Sequence, residues 1–561
     1  MFFLKKNRKK DPFDMDDILL DATNLPHFDT QQFEGRIEHP ISARTIFTVF
    51  ILFVLVLGGF LFRAWNLQIV EGGDWRRHSE NNRLDNVLEF AQRGNIYDRN
   101  GIPLAWNGGE ISTSTPFVGR MYTEKEGFGH ILGYLNYPRV DSSGNYYKTE
   151  YEGVGGVESI YNAELAGSNG TRIIEENAHN EIVSDALIEP AEDGGDLYLS
   201  IDARIQEKLY EEIQSLAEDV GFHGGAGVIL DIRSGEVIAL ASYPDIDSQI
   251  LTDGKDTARI ATFITDEKKY FLNRVIAGLY TPGSIVKPFV ATAALEEKVI
   301  TPEKKILSTG SINIPNPYDP TKKTVFNDWK AHGWVDIRDA LAVSSNIYFF
   351  EVGGGYEDQK GVGIQALNEY FSLFGVGEKT GIDLPGEVDG NIPNPDWKAQ
   401  VFPDDPWRIG DTYNTAIGQY GFQVSPIQMV HSIGALANGG LLVQPHIAIE
   451  NAHTEARQIK GIENTTFQIV REGMREAVKR GTTQGLNMSS ISIAAKTGTA
   501  ELGTAKKNVN SWVLGFFPYE DPKYAFTVVM EKGPVTNLFG GTYVMRRVFD
   551  WMSVTTPEYF K

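Results

Sequence analysis

Between Arg44 and Arg63 the chain reads TIFTVFILFVLVLGGFLF, 18 residues without a charged group. Such a run reaches the lower limit for a helix that crosses a bilayer, whereas a buried core helix seldom goes that far without an ionised side chain. It lies too far from the N-terminus for a removable secretory signal, and no small-residue cleavage site follows it. Upstream, MFFLKKNRKK carries a dense basic cluster, and basic flanks stay on the cytoplasmic side. The expectation is a single-pass protein of the bacterial cell (inner) membrane: residues 1–44 a cytoplasmic tail, 45–65 the transmembrane helix, and nearly everything beyond outside the membrane. Residues 11–40 have no sustained periodicity and read as a mostly disordered tail.

The remainder is too long for one ordinary core, so two or more folded units are expected. The chain has 74 acidic and 52 basic residues and a net charge of -22. That balance argues against nucleic acid as a partner, because polyphosphate contact needs a basic face. There is no cysteine, which removes disulfides, thiolate metal sites and a cysteine nucleophile from consideration. No metal or cofactor is expected.

After the membrane, WNLQIVEGGDWRRHSENNRLDNVLEF reads as a helical stalk, followed by a region rich in Gly, Asn and Tyr with short, irregular strands. Residues 66–195 are taken as this pedestal and 196–561 as a second domain. From Ser200 the pattern regularises. Asp202 is a good N-cap for ARIQEKLYEEIQSLAEDV, with Ile205, Leu209, Ile213 and Leu216 as its apolar stripe. GAGVILDIRSGEVIALASYP holds two strand-like runs joined at Arg233-Ser234-Gly235, a hairpin signal. SISIAAKTGTAEL, SWVLGFFPY and YAFTVVMEKG supply three more strands near the end, and helical stretches such as RDALAVSS and SPIQMVHSIGALANGG lie between. This is an α+β arrangement: one antiparallel sheet closed by the ends of the domain and covered by helices.

The chemistry-bearing residues occur as an ordered set. In YTPGSIVKPF, Pro-Gly marks a turn and Pro288 is tolerated only in a helix's first turn, so Ser284 and Lys287 sit at a helix start, three residues apart on one face. LAVSSNIYFF holds Ser344 and Asn346, and AAKTGTAE holds Lys496, Thr497, Gly498 and Thr499 on an edge strand. Each triplet is common alone. S-x-x-K, then S-x-N, then K-T-G is the known signature of penicillin-binding proteins and serine β-lactamases. A serine hydroxyl needs a base, and no histidine stands near these motifs in the sequence. Lys287 serves if neutral, and burial together with a second cation, Lys496, would lower its pKa. Ser344 can relay a proton and Asn346 can hold Lys287 and a substrate amide. Lys496, Thr497 and Thr499 would bind a terminal carboxylate, Gly498 permits close approach, and the Ser284 and Thr499 N–H groups would form the oxyanion hole.

The resemblance is wider than these motifs. QRGNIYDRNGIPLA, GVGGVESIYNAELAGSNG, GDLYLSIDARIQ, HGWVDIRDALAVSSN and IGQYGFQVSPIQM appear in the order seen in class B penicillin-binding proteins. The chain resembles their elongation-type D,D-transpeptidases, usually called penicillin-binding protein 2. The resemblance implies a penicillin-binding/serine β-lactamase-like transpeptidase domain on a mostly β pedestal, a Ser284 acyl-enzyme, cross-linking of peptidoglycan stem peptides with release of D-Ala, and inhibition by β-lactams. It also implies a SEDS-family glycan polymerase as partner and contacts to elongation scaffold proteins. One departure concerns the head of the pedestal, reduced here to GRMYTEKEGFGHILGYLNYP and a Gly/Tyr-rich loop, which puts scaffold contacts in doubt. Alternatives are a division-type transpeptidase, a β-lactam sensor or a non-turnover scaffold; a serine β-lactamase would need a deacylating base after Asn346, and no E-x-x-L-N-like stretch is present. D,D-carboxypeptidase side activity stays open.

Overall fold

The structure is a computed structural model that describes residues 42–81, 84–108, 116–142, 146–176, 182–316, 319–451, 455–503 and 506–561. The basic cluster and tail lie outside the described residues. Helix α1, Ala43–Trp65, is capped by the Ser42 hydroxyl, which accepts the Thr45 N–H at 3.1 Å. With the π-turn that continues it to Val70, it is the one helix among the described residues long and apolar enough to cross a membrane, with mean hydropathy 2.7 and none of it buried. Full exposure of this apolar surface is what a lipid-facing helix requires. The expected helical stalk runs further than the helix does. A short helix, Gly72–Asn81, ends at an asparagine, a residue that competes for backbone hydrogen bonds, and Leu84–Glu89 is a strand.

Residues 86–173 and 186–561 form one compact unit. Its N-terminal part carries a four-stranded sheet in the order Leu197–Tyr198, Ile96–Tyr97, Pro103–Gly108, Gly119–Tyr122. The QRGNIYDRNGIPLA residues do structural work here. Arg93 donates to the fully buried Glu158 carboxylate at 2.6 Å, and Arg120 donates to it at 2.8 Å. Asp98 accepts the N–H groups of Asn100 (2.8 Å), Ile102 (2.7 Å) and Ala203 (3.1 Å), so it closes its own turn and caps the helix that follows. Arg99 reaches Glu236 at 3.0 Å.

That helix is α2, Ala203–Val220, with Asp202 at its N-cap and the stripe Ile205, Leu209, Ile213 and Leu216 buried. The sheet consists of β1 (Gly224–Asp231), β2 (Val237–Tyr243), β3 (Ala494–Leu502), β4 (Asn508–Phe517) and β5 (Tyr524–Pro534). Its order is β2-β1-β5-β4-β3, antiparallel throughout, so strands from both ends of the domain close one sheet. Alternation decides which core each residue joins. Ile229 and Ala495 face the cluster built with α2, while Val228, Leu230 and Ala494 face the one that holds Phe289, Ile427 and Val430. Lys496, two residues after Ala494, therefore points to the second face. There lie α3 (Lys287–Glu296), α4 (Ile337–Val343), α5 (Asn346–Gly354), α6 (Pro426–Ala437) and α7 (Asn464–Arg480). Helix α3 is buried on every side from Lys287 to Ala294, the mark of a central helix.

Candidate active site

A 3-10 turn, Gly283–Val286, leads into α3, and the Lys287 N–H bonds back to the Ser284 carbonyl. Side chains three apart eclipse in a 3-10 turn, so Ser284 and Lys287 share a face more directly than an α-helix would give. Ser284 is half-buried between buried Gly283 and Ile285, which leaves its hydroxyl accessible at the end of an otherwise sealed helix. The K-T-G strand lies against this turn. A Cβ on Gly498 would stand 2.6 Å from the Pro282 carbonyl, and one on Gly283, at φ +59°, would stand 2.9 Å from the Thr499 carbonyl. Both positions need glycine for the backbones to approach.

Ser344 ends α4 in the left-handed region, φ 58°, ψ 38°, a conformation costly for a non-glycine residue and often found at functional sites. Lys496 Nζ donates to its Oγ at 2.7 Å, and Lys287 Nζ lies 3.4 Å from the same oxygen. Lys287 Nζ also reaches the Ser344 carbonyl and Asn346 Oδ1, each at 2.8 Å, and the Ser345 carbonyl at 3.3 Å. These contacts join Lys287, Ser344, Asn346 and Lys496. Ser284 Oγ is not hydrogen-bonded to Lys287; the bond between the two residues runs from the Lys287 N–H to the Ser284 carbonyl. Catalytic hydrogen bonds are often loose until substrate arrives. Lys496 also donates to the Thr497 carbonyl at 2.9 Å, Thr497 Oγ1 pairs with Thr482 Oγ1 at 2.8 Å, and Thr499 is exposed.

Both lysines are fully buried. Burial pushes the Lys287 ammonium down to about 7, against the pull of the Asp328 carboxylate. Burial and the charge of Lys287 together hold Lys496 well below its ordinary value. Of the two causes expected to lower Lys287, burial is the larger one here, and the repulsion between the two lysines is expressed in the lowered Lys496. The pocket can supply a neutral amine either way, since two ammonium groups around one hydroxyl in a dry site repel each other.

Three neighbours were not singled out in the sequence. Asp328 accepts from Ser345 Oγ at 2.8 Å and from the Ile347 N–H at 3.1 Å. His332 lies 3.7 Å from Asp328, so a histidine does stand behind the second motif, brought there by the fold. Thr482 supplies a second hydroxyl beside K-T-G. A single Asp, His or Thr outside the three motif triplets gives no pattern to detect, even where, like His332, it opens the quoted stretch HGWVDIRDALAVSSN. Among the described residues no group of three or more His, Cys, Asp or Glu is placed to hold a metal ion.

Residues 225–550 match the penicillin binding protein transpeptidase domain, and 110–199 match the penicillin-binding protein dimerisation domain. The chain belongs to the penicillin-binding proteins. Peptidoglycan D,D-transpeptidase MrdA of Haemophilus influenzae is 30% identical over 78% of this penicillin-binding protein and 69% of the relative. MrdA of Escherichia coli K12 is 27% identical over 91% and 94% of the two chains. Penicillin-binding protein 2 of Helicobacter pylori, solved in a complex with MreC, superposes with a TM-score of 0.69 at 26% identity, covering 84% of this chain and 98% of that one. The sheet with its covering helices, the β region that precedes it in the chain and the N-terminal apolar helix fit the α+β architecture expected from sequence.

Proposed function

We propose that this penicillin-binding protein works through Ser284 as nucleophile, Lys287 as its base, Ser344 and Lys496 as the proton path, and Asn346, Thr497, Gly498 and Thr499 as substrate contacts. The enzyme is a peptidoglycan D,D-transpeptidase, as the MrdA relatives are by name, and it is of the elongation type. A division-type role is not favoured by them. Ser284 Oγ attacks the penultimate D-Ala carbonyl of a stem peptide while its proton passes to neutral Lys287. The C–N bond then breaks, the departing D-Ala amine takes a proton through Ser344, and the acyl-enzyme remains. The amine of a second stem peptide attacks the ester, forms the cross-link and returns the proton to Ser284. The observation that carries this reading is the 2.7 Å and 3.4 Å approach of Lys496 and Lys287 to one hydroxyl, Ser344 Oγ, in a fully buried setting.

For the partners, the reading is a lipid-linked glycan polymerase of the SEDS family engaged through α1 and the pedestal. A scaffold contact like that of the Helicobacter pylori relative with MreC would be reduced by the short segment 119–138. The N-terminus is assigned to the cytoplasm and the catalytic domain to the outer side of the cell membrane. These follow from the basic N-terminal cluster and from the absence of any polymerase-like pattern in the pedestal sequence.

Incubating the detergent-purified full chain with a D-Ala-D-Ala stem peptide and an acceptor amine tests the reaction. Repeated turnover with one D-Ala released per cross-link formed is expected. Release that stops after one equivalent would identify a sensor instead.

A further inference from the structure

The Ser344–Asn346 turn is held from behind by a group that the mechanism above does not use. Asp328 is completely buried at its carboxylate. Its Oδ2 accepts from Ser345 Oγ at 2.8 Å, from the Ile347 N–H at 3.1 Å and from Ser308 Oγ at 3.2 Å, and its Oδ1 accepts the Trp329 N–H at 2.9 Å. Ser345 is the N-cap of α5 and accepts the Tyr348 N–H at 3.3 Å, so its hydroxyl proton is free to point at Asp328. Asn327, the preceding residue, offers its carbonyl to Asn346 Nδ2 at 3.5 Å. One segment therefore fixes the middle of the motif, the start of α5 and the orientation of the Asn346 amide.

We propose that Asp328 is a positioning residue for acylation: its carboxylate clamps the Ser344–Asn346 turn in place and supplies the negative charge that balances the buried Lys287 site.

Two independent features lead here. Geometrically, the left-handed Ser344 would not hold its Oγ between two lysines unless the surroundings fixed it, and two bonds from the residues that follow it, the Ser345 hydroxyl and the Ile347 N–H, end on one oxygen of Asp328. Electrostatically, a buried carboxylate without a partner cation is costly; the Asp328 charge favours the ammonium form of Lys287 and also acts on His332, 3.7 Å away. The titratable groups around Lys287 are Lys496 from β3 and Asp328 and His332 from the segment before α4. Burial holds the His332 imidazole below its ordinary value, against the pull of Asp328.

The inference rests on Lys287 as the base, and the sign of its effect follows. The neutral amine accepts the Ser284 proton, so acylation fails as pH falls through the Lys287 pKa. The Asp328 charge favours the ammonium form, so its removal should lower that pKa and carry the acid limb to lower pH. A purely structural residue would change the rate and leave the limb where it is.

The test is the second-order rate constant for acylation of the full-length, detergent-purified protein by penicillin, measured across pH. For Asp328→Asn, which keeps one oxygen acceptor, the plateau should fall by about 10-fold to 10²-fold, the scale of a small misplacement of reacting groups. Its acid limb should move down by at least about half a pH unit. Asp328→Glu, which keeps the charge on a longer arm, should lower the plateau with the limb close to wild type. A folded Asp328→Asn protein with an unmoved limb would overturn the charge role. If Asp328→Asn does not fold, Ser345→Ala decides the clamp: it deletes the 2.8 Å bond and leaves the carboxylate, so the plateau must drop and the limb must stay. An unchanged plateau there overturns the proposal. The wild-type limb keeps the two readings distinguishable: if Lys287→Arg acylates normally, the base assignment fails first, whatever Asp328 does.

Discussion

Lys496 Nζ meets Ser344 Oγ at 2.7 Å, across the gap between the edge strand β3 and the end of α4. That contact fixes the direction of the Ser344 hydroxyl. With one of its two lone pairs taken by Lys496, its own proton can turn to a neutral Lys287 or to a departing amine. Both lysines approach this one oxygen, and in the proposed mechanism the protonation state of the pair would set the pH range in which the site is competent.

Lys287→Arg should lower penicillin acylation by at least about 10²-fold, the lower range for a positioned acid or base, because guanidinium stays charged in proteins. Stopped-flow or fluorescent-penicillin rates check this. A near-normal rate would remove Lys287 from the base role.

Acylation by the unmodified protein should show an acid limb near the Lys287 pKa of about 7. The sign is set by the depressed lysine: below that value the ammonium form dominates and the rate falls with each step toward acid, while above it the amine is free. A rate independent of pH through that range contradicts a neutral-lysine mechanism.

Gly498→Ala forces a methyl group to within 2.6 Å of the Pro282 carbonyl. Since that neighbour is backbone, the strand and the nucleophile turn must separate. Acylation should drop by about 10²-fold while the circular dichroism spectrum is retained. Wild-type acylation would mean that the close approach is not needed.

Much of this was legible in the sequence. Strand-like runs and the Arg233-Ser234-Gly235 turn located all five strands of the sheet, and the closing of one sheet by both ends of the domain followed from their placement. The cap at Asp202 and the proline at the start of α3 were correct because they are local devices. The stalk was read as helical too far, since nothing between Asn81 and Leu84 announces a change to strand. Asp328 and Thr482 escaped because their meaning lies in distances across the fold. Burial was rightly expected to lower Lys287, but how far it outweighs the second lysine was not legible. Burial depends on α3 being enclosed on all sides, which an S-x-x-K spacing does not reveal.

Glu158→Ala leaves Arg93 and Arg120 buried without their carboxylate. Breaking a buried pair in this way costs about 3–5 kcal/mol, so the pedestal should melt at a clearly lower temperature in thermal denaturation of the detergent-solubilised chain. Penicillin labelling of the molecules still folded should persist, because Glu158 takes no part in the catalytic cluster. A melting profile identical to wild type would show that the ion cluster is not what holds this region.

The most direct test of the central claim is the intact mass of the full-length protein after mixing with benzylpenicillin, followed by peptide mapping. The account predicts one added penicilloyl group per molecule, located on the peptide containing Ser284, and no addition to a folded Ser284→Ala protein. A folded Ser284→Ala protein that still gains the adduct, or an adduct mapped to another residue, would contradict it.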